Sequence, residues 1–165
     1  MRKLAYLSLG SNLGDRVHHL EETIRLLQED ELKVLRRSSL YETEPRDLAN
    51  QPWFLNLVIE VETALFPRQL LARIKRIESL LGRKRIADKG PRTIDIDIVL
   101  FARFVIDTPD LVIPHPRMGE RRFVLEPLVE LAPELRHPVT HESMREMLGR
   151  VSSQKAVKYR GEGQG

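Results

Sequence analysis

The stretch "GPRTIDIDIVLF", residues 90–101, decides how this chain is read. Ile94, Ile96 and Ile98 alternate with Asp95 and Asp97. Residues two apart on a strand share a side. A strand here sends three isoleucines into a core and two carboxylates to the other face, with side-chain roots about 7 Å apart at a rise of about 3.3 Å per residue. Aspartate is disfavoured inside strands, and like charges on one face repel. The pair therefore needs compensation. An arginine in a structural ion pair supplies it, and so does a divalent cation. Mg²⁺ suits such a pair, because it takes one or two carboxylates plus phosphate oxygens. The spacing alone leaves these two readings balanced.

Upstream, Leu4 to Leu9 reads as a first strand, stopped by Gly10-Ser11-Asn12, where Gly10 allows a tight turn. Val17, Leu20, Ile24 and Leu27 then recur at helical spacing. Leu32 to Tyr41 reads as a second strand, followed by the polar loop "ETEPRDLANQP". In "FLNLVIEVE", Leu55, Leu57, Ile59 and Val61 share one face, and Asn56, Val58 and Glu60 the other. Pro67 opens a second helix, Leu70, Leu71, Ile74, Ile77 and Leu81 form its apolar stripe, and Gly82 caps its C-terminus. With the strand at 90–101 the order is βαββαβ. That order predicts an α+β, ferredoxin-like fold, an antiparallel sheet with helices on one face. Downstream, a hairpin is expected around Thr108-Pro109-Asp110 and a short helix around Met144, Met147 and Leu148. In "RRFVLEPLVELAP", Pro127 is expected to divide a helix or to start one.

The bulk numbers set limits on function. A chain of 165 residues fits one domain, and a chain near that size buries roughly 70% of its unfolded surface. A single domain over 1–160 with a mobile tail at 161–165 is expected. Hydrophobic residues make up 41% and charged residues 31%, a soluble balance. Net charge is only +3, so any anion site must come from local clustering of arginine. Cysteine is absent, which excludes disulfides, thiolate metal sites and cysteine nucleophiles and fits a reducing compartment. No apolar run approaches the roughly 20 residues of a membrane span, and the start lacks a signal-peptide core. A cytoplasmic protein is expected. No long apolar stripe is left over once helices and strands are assigned, which favours a monomer.

Residues 83–92 hold Arg83, Lys84, Arg85, Lys89 and Arg92 against one acid, Asp88. His115, Arg117, Arg121 and Arg122 form a second basic group. For any one of these a solvated surface is the commoner role. Arginine binds phosphate through its planar fork and keeps its charge. Basic loops beside a carboxylate pair are what a metal–triphosphate complex needs. "LSLGSNLGD" lacks the lysine and spacing of a Walker A loop.

Five stretches together carry a resemblance. "LSLGSNLGDR", "FLNLV", "RIESLLGRKR", "GPRTIDIDIVLF" and "PHPRMGERRFVLEPLVELAPEL" resemble the 6-hydroxymethyl-7,8-dihydropterin pyrophosphokinases of folate biosynthesis, in order from about residue 4 to residue 138. That family transfers the terminal diphosphate of ATP to the hydroxymethyl group of a reduced pterin and releases AMP. The resemblance implies a ferredoxin-like fold, Asp95 and Asp97 as ligands of two Mg²⁺ ions, and Arg83 and Arg92 as catalytic arginines. It implies Glu78, Arg85, Ile98, His115 and Arg121 at the ATP site. Thr43, Phe54, Asn56 and Phe123 match the pterin pocket. A flat heterocycle suits two aromatic walls, Phe54 and Phe123, and an amide such as Asn56 offers both a donor and an acceptor to its edge. Where the family often has an aromatic before the "GPR" element, this chain has Lys89. Phe54 stands where many members have tyrosine.

The expected chemistry is an in-line attack of the hydroxymethyl oxygen on the β-phosphorus of ATP, driven by positioning and charge stabilisation. Two rival readings start from the same residues. A nucleotidyltransferase would pair Gly10-Ser11 with Asp95 and Asp97, but that class keeps its two elements close together and here they lie more than eighty residues apart. An RNA-binding module of the same fold would put aromatics and basic groups on its sheet face, where this strand offers carboxylates. The chain is accordingly expected to bind ATP and pterin, and neither nucleic acid nor membrane.

Overall fold

A computed structural model describes residues 2–44, 52–82, 93–151 and 156–159. Arg83, Arg85, Lys89, Arg92 and the tail at 161–165 lie outside the described residues. The described chain is a mixed α/β structure. It runs through strand β1 (Lys3–Ser11), helix α1 (Arg16–Leu27), strands β2 (Leu32–Arg37), β3 (Tyr41–Thr43) and β4 (Phe54–Thr63), helix α2 (Pro67–Leu80) and strand β5 (Asp95–Phe101). A hairpin of β6 (Ile106–Thr108) and β7 (Leu111–Ile113) follows, then helices α3 (Arg122–Leu131) and α4 (Met144–Gly149) and strand β8 (Ala156–Lys158).

The main sheet has the order β5-β1-β4-β3-β8, with β2 also paired to β4. Every one of these pairings is antiparallel. Alternation along the strands builds two different faces. Leu7 and Leu9 of β1, Leu55, Leu57 and Ile59 of β4, and Ile96 and Ile98 of β5 point to one side. There they meet Leu20 and Leu27 of α1 and Leu70, Ile74 and Ile77 of α2. On the other side, among the described residues, α3 and α4 bring Val124, Leu125, Leu128, Met144 and Met147 over Tyr6, Val58, Val99 and Leu100.

Local signals set the ends of the elements. The Asp15 carboxylate accepts from the His18 N–H and caps α1. Pro67 stands at the start of α2, and Gly82 follows its end with φ +67°. Val17, expected in the buried stripe of α1, is exposed, and the stripe is Leu20, Thr23 and Leu27.

Two further sequence expectations need correction. The strand read over 32–41 is two strands. The Ser38 hydroxyl accepts from the Val58 N–H at 3.0 Å and donates to the Ser39 carbonyl at 2.8 Å, side-chain bonds that interrupt a continuous ladder. Pro127 neither divides α3 nor starts it. The helix runs through it with the ring buried, and only the Phe123 carbonyl one turn earlier is denied its N–H. Tertiary burial of Val124, Leu125 and Leu128 outweighs that single lost bond.

Candidate active site

Toward the C-terminal end of β1 the second sheet face carries Ser8, Gly10, Asn56, Asp95 and Asp97. The register fixes their order. Tyr41 pairs with Asn56, Asn56 with Gly10, and Gly10 with Asp95. One cross-strand row thus runs from β3 to β5, and Asp97 stands two residues along, opposite Ser8. Both aspartates are part-exposed, while Ile94, Ile96 and Ile98 are buried on the reverse side.

At the β3–β4 end of the row the Asn56 amide is buried and donates to the Thr43 hydroxyl at 2.7 Å. Gly10 makes this arrangement possible. A Cβ at Gly10 would lie 2.5 Å from Asn56 Oδ1 and 3.5 Å from the Phe54 ring. The tight turn expected of Gly10 is therefore corrected. It lies inside β1, and among the described glycines the positive φ values belong to Gly14 and Gly82. Its role is room for an amide and a ring at the backbone surface.

Phe123 and Arg121 come from the start of α3. The Arg121 guanidinium lies over the Phe123 ring at 5.4 Å and reaches Asp97 at 3.9 Å. Helix α3 is clamped to β3 by Glu130, whose carboxylate accepts from the Tyr41 hydroxyl at 2.7 Å and from the Ser39 N–H and hydroxyl at 2.9 and 3.0 Å. Burial works against the Glu130 charge, yet these hydrogen bonds hold its carboxyl below the usual range. Burial, and then the same carboxylate, push the Tyr41 phenol up.

Beyond β5 lies a cleft of about 280 Å³ between α2 and the β6–β7 hairpin. Leu71, Ile74, Ile98, Leu111 and Val112 give it an apolar wall, and Asp97 and His115 stand at its polar side. Its outer lip is pinned by Arg68, which donates to Asp110 at 2.8 Å and to the Thr108 hydroxyl at 3.0 Å. His115 is held with its pKa lowered to about 4, mainly by burial and further by Arg121 and Arg117, with Asp95 opposing. Its Nδ1 accepts the Arg117 N–H at 3.1 Å, so the neutral ring carries its proton on Nε2. Glu78, expected at the ATP site, accepts the Ile96 N–H at 3.0 Å and so braces the outer edge of the aspartate strand from α2.

Asp95, Asp97, His115, Ile98 and Arg121 are thus brought together, as are Thr43, Phe54 and Asn56. Phe123 joins them through Arg121. Gly10 and Glu130 were missed as site-building residues. Gly10 sits in the "GSNLGDR" stretch, which reads locally as a turn, and Glu130 carries no local signal.

The fold and site define a class: a mixed α/β domain with a carboxylate pair on a sheet face, set between a cluster of Asn56, Thr43 and Phe54 and an apolar cleft. Within that class the chain belongs to the 7,8-dihydro-6-hydroxymethylpterin-pyrophosphokinase family, whose model matches residues 6–133. It is 43% identical to the Bacillus subtilis 2-amino-4-hydroxy-6-hydroxymethyldihydropteridine pyrophosphokinase, over 94% of each chain. It is 48% identical to the Folic acid synthesis protein fol1 of Pneumocystis carinii, over 82% of this chain but only 18% of that one. The chain therefore spans about a fifth of the length of that fungal relative. A crystal structure of Plasmodium falciparum HPPK-DHPS, wild type with STZ-DHP, shares the fold at TM-score 0.74 and 21% identity, covering 90% of this chain and 43% of that one.

Proposed function

We propose that this chain transfers the terminal diphosphate of ATP to the hydroxymethyl group of 6-hydroxymethyl-7,8-dihydropterin, giving the pterin diphosphate and AMP, a step of folate biosynthesis. Family membership and the like-sized Bacillus subtilis relative support this reading. The observation that carries it is the position of the carboxylates. Asp95 shares a row with Gly10 and Asn56, and Asp97 borders the cleft beside His115. Two substrates bound end to end would meet over the aspartates, with the pterin against Asn56 and Phe54 and the nucleotide base in the apolar cleft.

The donor set fits Mg²⁺. Among the described residues no group of three or more His, Asp or Glu side chains gathers to hold a metal by itself. Two carboxylates on a sheet face leave the remaining positions to phosphate oxygens and water, as Mg²⁺ requires. Asp95 and Asp97 would hold two such ions, whose chemistry when bound is to neutralise phosphate charge and lower the pKa of the attacking hydroxyl.

The remaining roles belong to the chain. Asn56, fixed by Thr43, orients the pterin edge. Phe54 and Phe123 hold its flat faces. Arg121, neutral His115 and, outside the described residues, Arg83, Arg85 and Arg92 bind and screen the triphosphate. Glu78 keeps the aspartate strand in register. In the transfer the hydroxymethyl oxygen bonds to the β-phosphorus, the bond from that phosphorus to the α,β-bridging oxygen breaks, AMP departs with that oxygen, and the hydroxyl proton is released to water. The strand order β5-β1-β4-β2, all antiparallel with α1 and α2 on one face, supports reading the fold as ferredoxin-like.

The test is nucleotide analysis after incubation with ATP, Mg²⁺ and 6-hydroxymethyl-7,8-dihydropterin. AMP and pterin diphosphate should form in equal amounts, and only with both substrates present. Release of pyrophosphate with a nucleotidyl product would replace this reading with a nucleotidyltransferase.

A further inference from the structure

Thr43 and Phe54 both stand beside Asn56 on the polar sheet face, yet they belong to strands joined through residues 44–53. The two are cross-strand partners in the last pair of the β3–β4 ladder, so their placement depends on whether that ladder end, between the stems leaving at residue 44 and returning at residue 52, stays closed. One side chain grips both. Arg16, at the start of α1, reaches Glu42 at 2.9 Å and donates to the Trp53 carbonyl at 3.0 Å, both through one guanidinium nitrogen. Its guanidinium also lies 5.5 Å from the Tyr159 ring centroid, and the Tyr159 N–H donates to the Leu40 carbonyl at 2.8 Å. Asn12, buried in the same β1–α1 connection, donates to the Pro52 carbonyl at 3.0 Å.

The grip comes from the reverse side of the sheet. Glu42 pairs with Leu55, whose side chain lies in the core with α1 and α2, so alternation sends Glu42 to that side and Thr43 to the pocket side. Arg16 therefore does not line the pocket. It acts on the residues next to Thr43 and Phe54, through the Glu42 carboxylate and the Trp53 carbonyl. Its side chain is only 18% exposed, so the ion pair and the carbonyl contact are shielded from water more than a surface pair would be.

We propose that Arg16 is a positioning residue for the pterin pocket: by joining Glu42 to the Trp53 carbonyl it keeps the open end of the β3–β4 ladder, where Thr43 pairs with Phe54, from fraying, and so governs affinity for the flat heterocyclic substrate and not for ATP. This rests on the functional reading above only for the identity of that substrate. The cleft between α2 and the hairpin shares none of these contacts, which is why the two affinities should separate.

Trp53 is the chain's only tryptophan, so its fluorescence reports the latch without any substrate. Arg16→Met keeps the aliphatic stem, and Arg16→Lys restores the charge. In the full chain, Arg16→Met should raise acrylamide quenching of Trp53 about twofold and the KM for 6-hydroxymethyl-7,8-dihydropterin about tenfold. The KM for ATP and kcat should stay within about threefold, and Arg16→Lys should recover at least half of the pterin effect on a logarithmic scale. Equal rises in both KM values, or an unchanged pterin KM, would overturn the proposal. So would unchanged quenching. A wild-type chain that forms no AMP would instead overturn the functional reading, and the latch would then be judged by quenching alone.

Discussion

The two faces of the main sheet come from the same strands and do opposite work. Toward α1 and α2, β1, β4 and β5 present apolar side chains, chiefly leucine and isoleucine with Ala5, Val61 and Phe101, nearly all fully buried. Toward α3 and α4 the same strands present Tyr6, Val58 and Val99 at one end and Gly10, Asn56, Asp95 and Asp97 at the other. The first face can be built rigid because every position on it gains by leaving water. The second keeps polar groups at a surface that would otherwise be covered, and it holds them in place with side-chain bonds such as Asn56 to Thr43 and Glu130 to Tyr41. The lesson is that the apolar face makes the polar one affordable. A carboxylate pair on a strand tolerates its own repulsion because Ile94, Ile96 and Ile98 anchor the same backbone from behind.

Substitutions on the two faces should therefore fail differently. The largest effect is expected at Asp97→Ala. Turnover should fall about a thousandfold or more, while the melting temperature stays close to that of the wild type, because the carboxylate faces a part-exposed site. A variant that melts early as well as losing activity would break the contrast between the faces. Directly opposite in character is Leu57→Ala on the apolar face. It should lose about 2–5 kcal/mol of stability in urea unfolding, with kcat near normal in whatever fraction remains folded.

Gly10→Ala sharpens the comparison, because it adds one methyl group to the polar face. With Asn56 Oδ1 only 2.5 Å from the new Cβ, the amide must move. The KM for the pterin is expected to rise up to about a hundredfold, with the KM for ATP little changed. Equal effects on both would show that the row from Asn56 to Asp95 moves as one body.

His115 gives the pH dependence. Its pKa lies near 4 in the folded chain, lowered chiefly by burial, against about 6.5 when unfolded. The unfolded chain binds the extra proton first, so the stability that the neutral ring contributes is complete above about pH 6.5 and is lost as pH falls toward 4. Wild type should lose on the order of 1–2 kcal/mol more than His115→Gln across that window, after allowing for the ring's partial contact with water. Identical pH profiles in chemical unfolding would contradict this. The smallest effect is expected at Arg68→Ala, on the outer lip of the cleft. Its pair with Asp110 is well exposed, so stability should change by less than about 1 kcal/mol, and a modest rise in the KM for ATP is the finer readout.

How much was legible in advance follows the range of the physical signal. Asp95 and Asp97 were assigned to one face from their spacing, and the structure has them there, because the alternation over residues 94–98 is a property of consecutive residues. Pro67 and Gly82 marked the ends of α2 for the same local reason. The split of β2 from β3 was not legible, since the Ser38 hydroxyl bonds a strand twenty residues away. The run of α3 through Pro127 depends on burial against a sheet that no local pattern contains. Strand β8 is three residues long and pairs with an equally short strand more than a hundred residues earlier, so neither carries a periodic signal of its own.

The sequence by itself determined which side chains share a face of the main strands, where α2 begins and ends, and, through its five motifs, the family. Tertiary structure decided what those side chains touch. Gly10 became room for Asn56, Arg16 a grip on two distant stems, and Glu78 a brace for the aspartate strand only when the register brought their partners near. Periodicity is written into consecutive residues, whereas a 3 Å contact between distant ones depends on how the whole sheet is aligned.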